Sequence, residues 1–173
     1  ETLGLSLPGA AAIPATHADR IRCAEATGRA AARMAVTGGP RPAEILQPGA
    51  FRNAMVALQA VGGSTNGLVH LAAIAGRVGQ PLDYAAFDRI GRETPVLIDL
   101  KPSGAHYMEH FHHAGGVPHL LAELQDLLDL TVPTVAGGTL ADTLPKPGEW
   151  RDEAVIRPRS NPLKAQGAMA VLQ

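Results

Sequence analysis

Paired glycines limit most strongly what this chain can become. Gly38-Gly39, Gly62-Gly63, Gly115-Gly116 and Gly137-Gly138 interrupt it, and glycine ends helices because it enters the left-handed region without steric cost. Between these breaks apolar residues recur mostly at helical spacing, which predicts a series of short helices. Aromatics are only 3% of residues against 46% hydrophobic overall, so the core must come from Ala, Leu, Val and Ile. At 173 residues the chain is long enough for one domain and can bury roughly two-thirds of its unfolded surface.

The first helical block covers residues 17–36 and stops at Gly38-Gly39-Pro40. A second starts at about Pro48, with Phe51, Ala54, Met55, Leu58 and Val61 on one face. A third is expected over 64–78, and a short fourth follows Asp83, a natural N-cap. Residues 95–100 form an apolar run bounded by prolines, read as a strand ending in a Lys-Pro-Ser-Gly turn. Residues 106–113 and 117–130 return to helix, and residues 1–9 look like the last turn of one. From Thr131 onward Pro and Gly crowd together, which places a domain boundary between about 142 and 157. Both ends read as cut, so the chain is expected to be a piece of something longer.

Fifteen Lys and Arg against sixteen Asp and Glu leave a formal charge of −1. No broad positive field exists to draw nucleic acid or an anionic membrane. No apolar run reaches the ~18 residues of a membrane span, and no signal peptide is visible. The single Cys23 rules out an internal disulfide and fits a reducing compartment. A soluble, cytoplasmic protein is the expectation, with no nucleic-acid or membrane partner.

Three stretches could carry chemistry. In "GGSTN", Ser64, Thr65 and Asn66 follow two glycines at a helix start. Such residues cap free N–H groups, and the same groups can hold a carboxylate or phosphate; a plain helix-to-helix corner is the competing reading. "HYMEHFHH" holds four of the seven histidines. Within it His106, Glu109 and His110 match the H-x-x-E-H spacing of inverted zinc proteases, but a solvated or capping His/Glu face is the favoured reading. "DLKPSG" sets Lys101 and Ser103 just past a strand end, where loops carry function, against an ordinary turn. His70 lies in its helix's apolar pattern and is expected in the core. Cys23, without a second thiol, is expected to be inert.

Taken in order, "ETLGLSLPG", "HADR", "GGSTNGLVHLAAIA", "FDRIGRETPVLIDLKPSG", "YMEHFHHAGGVPHLLAEL", "GGTLADTL" and "IRPRSNPLKAQGAMAVL" resemble the dihydroxy-acid and sugar-acid dehydratase family (IlvD/Edd). The resemblance runs nearly end to end and implies an α/β fold. Residues 1–142 would be the helix-rich later part of the family's N-terminal α/β domain, and 143–154 a linker. Residues 155–173 would begin a C-terminal β-barrel-like swivelling domain, with 167–173 as its first strand. The implied reaction removes water from a 2,3-dihydroxy carboxylate and yields a 2-keto acid, using an iron–sulfur cluster (2Fe–2S) and Mg²⁺. The implied partner is a small hydroxy acid, either a branched-chain dihydroxy acid or an aldonic acid; the full-length family protein is a homo-oligomer, dimer or tetramer.

The family's catalytic machinery does not map onto this segment. Its cluster cysteines and magnesium ligands fall outside residues 1–173, Cys23 aligns with none of them, and Lys101 is not its modified lysine. His110 departs from the family pattern, which makes the H-x-x-E-H match incidental. The segment alone is therefore expected to bind no cofactor and to be inactive. Ser64, Thr65, Asn66, Lys101 and Ser103 remain as substrate-pocket candidates. The competing class is a non-catalytic α/β binding or interaction module, with a zinc hydrolase a distant third.

Overall fold

The computed structural model describes residues 1–146 and 148–171. Pro147, inside the expected linker, and Leu172 and Gln173, the end of the expected final strand, lie outside the described residues. Among the described residues seven α-helices form in chain order: α1 Ala18–Thr37, α2 Pro42–Ile45, α3 Pro48–Ala60, α4 Thr65–Arg77, α5 Tyr84–Glu93, α6 Met108–His113 and α7 Gly116–Glu123. Short 3₁₀ turns follow at Gln125–Leu127 and Leu140–Thr143.

α3 is the centre. It is buried nearly all round, from Ala50 and Phe51 to Ala60, and α4 and α5 pack against it. Its apolar neighbours include Leu71 of α4, Phe87 and Ile90 of α5, Phe111 of α6 and Leu120 of α7. Two polar side chains, Asn53 and Gln59, are fully buried on the same helix. Each substitutes for a strand neighbour. Asn53 Nδ2 donates to the Asp129 carbonyl and its Oδ1 accepts from the Asp129 N–H, both at 2.8 Å. Gln59 Nε2 donates to the Met169 carbonyl at 3.1 Å, while its Oε1 accepts from the Met169 N–H at 3.0 Å. Gly91 and Gly167 complete this clamp: a Cβ on Gly91 would lie 2.7 Å from Gln59 Nε2, and one on Gly167 2.5 Å from Oε1. Only glycine allows so close an approach.

The corner from α3 to α4 follows from similar sterics. Gly62 sits at φ +71°; its N–H reaches the Gln59 carbonyl at 3.3 Å, and the Gly63 N–H reaches that of Leu58 at 3.0 Å. This is a Schellman ending. Leu58 then folds over the corner, and a Cβ on Gly67 would lie 2.6 Å from its Cδ1.

Several expectations need correction. Residues 95–100 are extended but form no strand ladder. Val96 bridges Lys164, Ile98 bridges Ile156 and Leu100 bridges His106. Three partners from separate stretches cannot extend one register, and prolines at 158 and 162 bend the returning segment. The α/β expectation therefore holds in its helical part, since isolated bridges are the only β pairing among the described residues. Residues 167–171, the described part of the expected final strand, are not a strand. They lie along α3 and α5 instead, held by Gln59, Gly91 and the Asp88 carboxylate, which accepts from the Val171 N–H at 3.2 Å. Residues 1–9 form turns, not a helix end, with the Glu1 carboxylate accepting from the Gly9 and Ala11 N–H groups at 2.5 and 2.8 Å. α7 stops at Glu123, earlier than expected, and tightens into the 3₁₀ turn. α1 is largely exposed; only Ala30 is buried.

Two outcomes follow. Gln59→Leu leaves the Met169 N–H and carbonyl without partners, at a cost of about 1–3 kcal/mol in urea unfolding. The exposed Glu25–Arg29 pair of α1 is instead worth about 0.3–0.5 kcal/mol, so Glu25→Ala should barely shift the midpoint. The second outcome concerns acid. Asp88, Asp129 and Asp142 lie below the ordinary carboxylate range, held there chiefly by bonds from Arg92, the Thr131 hydroxyl and the Thr139 N–H respectively. With depressed folded values the folded state binds fewer protons than the unfolded one. The stabilisation is complete above the unfolded value of about 3.9 and is lost as pH falls through the folded values. Urea midpoints should therefore fall on acidification below about pH 4; an unchanged midpoint there would contradict this.

Candidate active-site cleft

A cleft of about 390 Å³ opens where the α3–α4 corner, the extended run 95–100 and the return near residue 164 meet. Gly62, Gly63, Asp99, Ser103, Gly104 and Lys164 are among its lining residues, with Val96, Ile98 and Leu163 as apolar walls. A second cavity of about 370 Å³, beside Leu3, Leu58, Leu71 and Phe111, is lined almost wholly by apolar side chains. Of these two, the first combines apolar walls with convergent polar groups, the arrangement that fixes small ligands.

The loop at its edge is built from its own backbone. The Gly104 N–H donates to the Leu100 carbonyl at 2.7 Å, and the Lys101 N–H to that of His106 at 2.8 Å. Asp99 Oδ1 accepts from the Ala105 N–H at 2.9 Å, while Oδ2 lies 3.3 Å from His106 Nδ1. Gly104 packs so closely on the Asp99 carboxylate that no side chain fits there.

The sequence candidates divide. Ser103 lines the cleft. Ser64, Thr65 and Asn66 are exposed at the start of α4, immediately after the lining Gly62-Gly63, and Ser64 makes no side-chain cap bond. No Ser64 side-chain bond therefore reaches the first N–H groups of α4, and the Gly67 N–H closes the turn on the Ser64 carbonyl at 3.0 Å. Lys101 turns elsewhere: its Nζ donates to the Tyr107 hydroxyl at 2.8 Å and lies 4.2 Å above that ring. Lys164 and Asp99 were not singled out in the sequence; they reach the cleft through pairing across about sixty residues, which no local pattern announces.

His106, Glu109 and His110 build no common centre. His106 precedes α6 and is turned toward Asp99, His110 Nδ1 accepts from the Tyr107 N–H at 2.9 Å, and Glu109 lies 3.9 Å from His113. His70, expected in the core, is exposed, because α4 buries Leu71 and Ala75 instead. Cys23 is half-buried on α1.

Residues 1–143 match the family model described as Dihydroxy-acid/6-phosphogluconate dehydratase N-terminal. The chain is 44% identical to the L-arabonate dehydratase of Azospirillum brasilense, across 100% of its own residues and 30% of that protein's. It is 39% identical to a dihydroxy-acid dehydratase of Methanospirillum hungatei, across 99% of the chain and 31% of the relative. With the mitochondrial dihydroxy-acid dehydratase ilvC of Aspergillus fumigatus it shares 41%, across 100% and 29%. The chain thus spans about 30% of the length of these curated relatives. A family match over residues 1–143, joined to this identity along the whole chain, leads to one conclusion: the chain belongs to the dihydroxy-acid/6-phosphogluconate dehydratase family.

Proposed function

We propose that this chain forms part of a hydro-lyase that converts a 2,3-dihydroxy carboxylate to a 2-keto acid, and that the cleft at Gly62-Gly63, Ser103 and Lys164 forms one wall of its substrate pocket. The observation that carries the reading is identity of 39–44% along essentially the whole chain to proteins named as dehydratases of such acids.

Each lining group has work suited to that substrate. The Lys164 ammonium attracts a carboxylate, and the start of α4 adds N–H donors at the positive end of a helix dipole. Ser103 can donate to or accept from a substrate hydroxyl. Removing the C2 proton and expelling the 3-hydroxyl require a base and an acid catalyst, and dehydratases of this family use an iron–sulfur cluster and Mg²⁺ for part of that chemistry. The residues present do not fit either group. A cluster needs several thiolates, and the chain has only Cys23. Magnesium needs an oxygen-rich shell, and Asp99, the one carboxylate lining the cleft, is already engaged by its own loop. This chain therefore serves binding and orientation, and the segment alone is inactive. Residues 1–142 belong to the N-terminal domain, 143–154 to a linker, and 155–173 open the C-terminal domain. The intact protein acts as a cytoplasmic homo-oligomer. An aldonic acid is the favoured substrate over a branched-chain acid, supported by the "YMEHFHHAGG" and "IRPRSNPLKAQG" stretches.

Keto-acid formation by the intact protein, assayed with both acid classes, tests this directly. Lys164→Met should raise KM about tenfold, the loss of roughly one charge-assisted contact, with kcat little changed. Asn66→Ala should also weaken substrate binding; unchanged KM and kcat in both variants would remove the cleft from the active site. Turnover by the 173-residue chain alone would contradict its supporting role.

A further inference from the structure

Away from the cleft, three side chains from two elements converge. His17 is the N-cap of α1, Asp19 lies in that helix's first turn, and His112 projects from the last turn of α6. One metal-binding atom from each lies within 4.8 Å of the other two. His17 Nδ1 is 3.2 Å and His112 Nε2 4.0 Å from Asp19 Oδ2. Ligands bound to one tetrahedral metal at about 2.0–2.1 Å lie roughly 3.3 Å apart, so rotamer adjustment suffices to close the set.

The carboxylate is already oriented for this. Arg22 engages Asp19 Oδ1 through both Nε, at 2.8 Å, and Nη2, which leaves Oδ2 facing the two imidazoles. Fixing a ligand through its outer atom is how metal sites position their carboxylates. His113 closes one side, its ring centroid 5.3 Å from that of His112 and 5.9 Å from that of His17.

We propose that His17, Asp19 and His112 bind a first-row divalent cation of the zinc type, pinning α1 to α6. Two imidazoles and one carboxylate suit zinc, cobalt or nickel, whereas magnesium and calcium select oxygen shells. Three protein ligands leave a coordination position for water. Opposing charges set the strength. The α1 N-terminus is positive, and Arg20, bonded to the Ala10 and Ile13 carbonyls, stands close by with Arg22. The cation must also compete for the His17 lone pair, which now accepts the Asp19 N–H at 3.2 Å. Affinity is accordingly micromolar. The consequence is mechanical, because α1 has little else to hold it: Ala30 is its single buried residue.

Cobalt titration of the metal-free protein, read by visible d–d absorption and by calorimetry, tests the site. One equivalent should bind in the micromolar range with the spectrum of a nitrogen–oxygen site of low coordination number. His112→Gln should weaken it at least about tenfold. His17→Asn should do the same while keeping a side-chain acceptor for the helix start, and far-UV circular dichroism checks that both variants stay folded. His110→Gln should leave binding unchanged. Failure to bind below millimolar cobalt, or binding that survives both the His17 and His112 substitutions, would overturn the proposal; should one of these variants unfold, the other decides.

Discussion

The architecture depends on two carboxamides inside one helix. Asn53 and Gln59 sit on α3 with no exposure to solvent, where an unpaired amide is costly. Each satisfies itself by pairing with a backbone N–H and carbonyl on a distant segment, at Asp129 and at Met169. A helix cannot ordinarily pair with extended chain through its backbone, since its own groups are consumed internally. The carboxamides supply that missing edge, and so a helical core can hold two irregular returns in register without a sheet.

The cleft inherits its shape from this arrangement. Gln59 holds residue 169 and approaches Gly91 and Gly167, and the same return crosses residues 96–98 at Ile156 and Lys164. Lys164 therefore faces the Gly62-Gly63 corner that closes α3. One helix contributes the corner at its C-terminal end and, through Gln59, holds the chain that carries the charge. A wall assembled this way is set by packing rather than by loop preference, so its groups are held in place before any ligand arrives.

Much of the local structure was legible in the residues. Asp83 caps α5 through the Ala86 N–H, Gly38 ends α1 in the left-handed region, and Phe51, Ala54 and Met55 are buried on α3 as their spacing requires. Those features depend on neighbours a few positions away. What escaped the sequence depends on partners far along it. Asn53 and Gln59 look like ordinary polar positions until their partners 76 and 110 residues away are known. The apolar run 95–100 has strand character, yet its partners are single residues of a bent return. Ser103 and the glycine corner before α4 line the cleft, Lys164 joins them only through tertiary pairing, and Lys101 is drawn off by Tyr107.

Native-state hydrogen exchange on the unaltered protein addresses the central claim most directly. If the Gln59 carboxamide holds the return as described, the Met169 N–H should exchange as slowly as the buried amides of α3, despite lying in a segment without regular secondary structure. Exchange of Met169 at the rate of an open loop, while α3 stays protected, would contradict it.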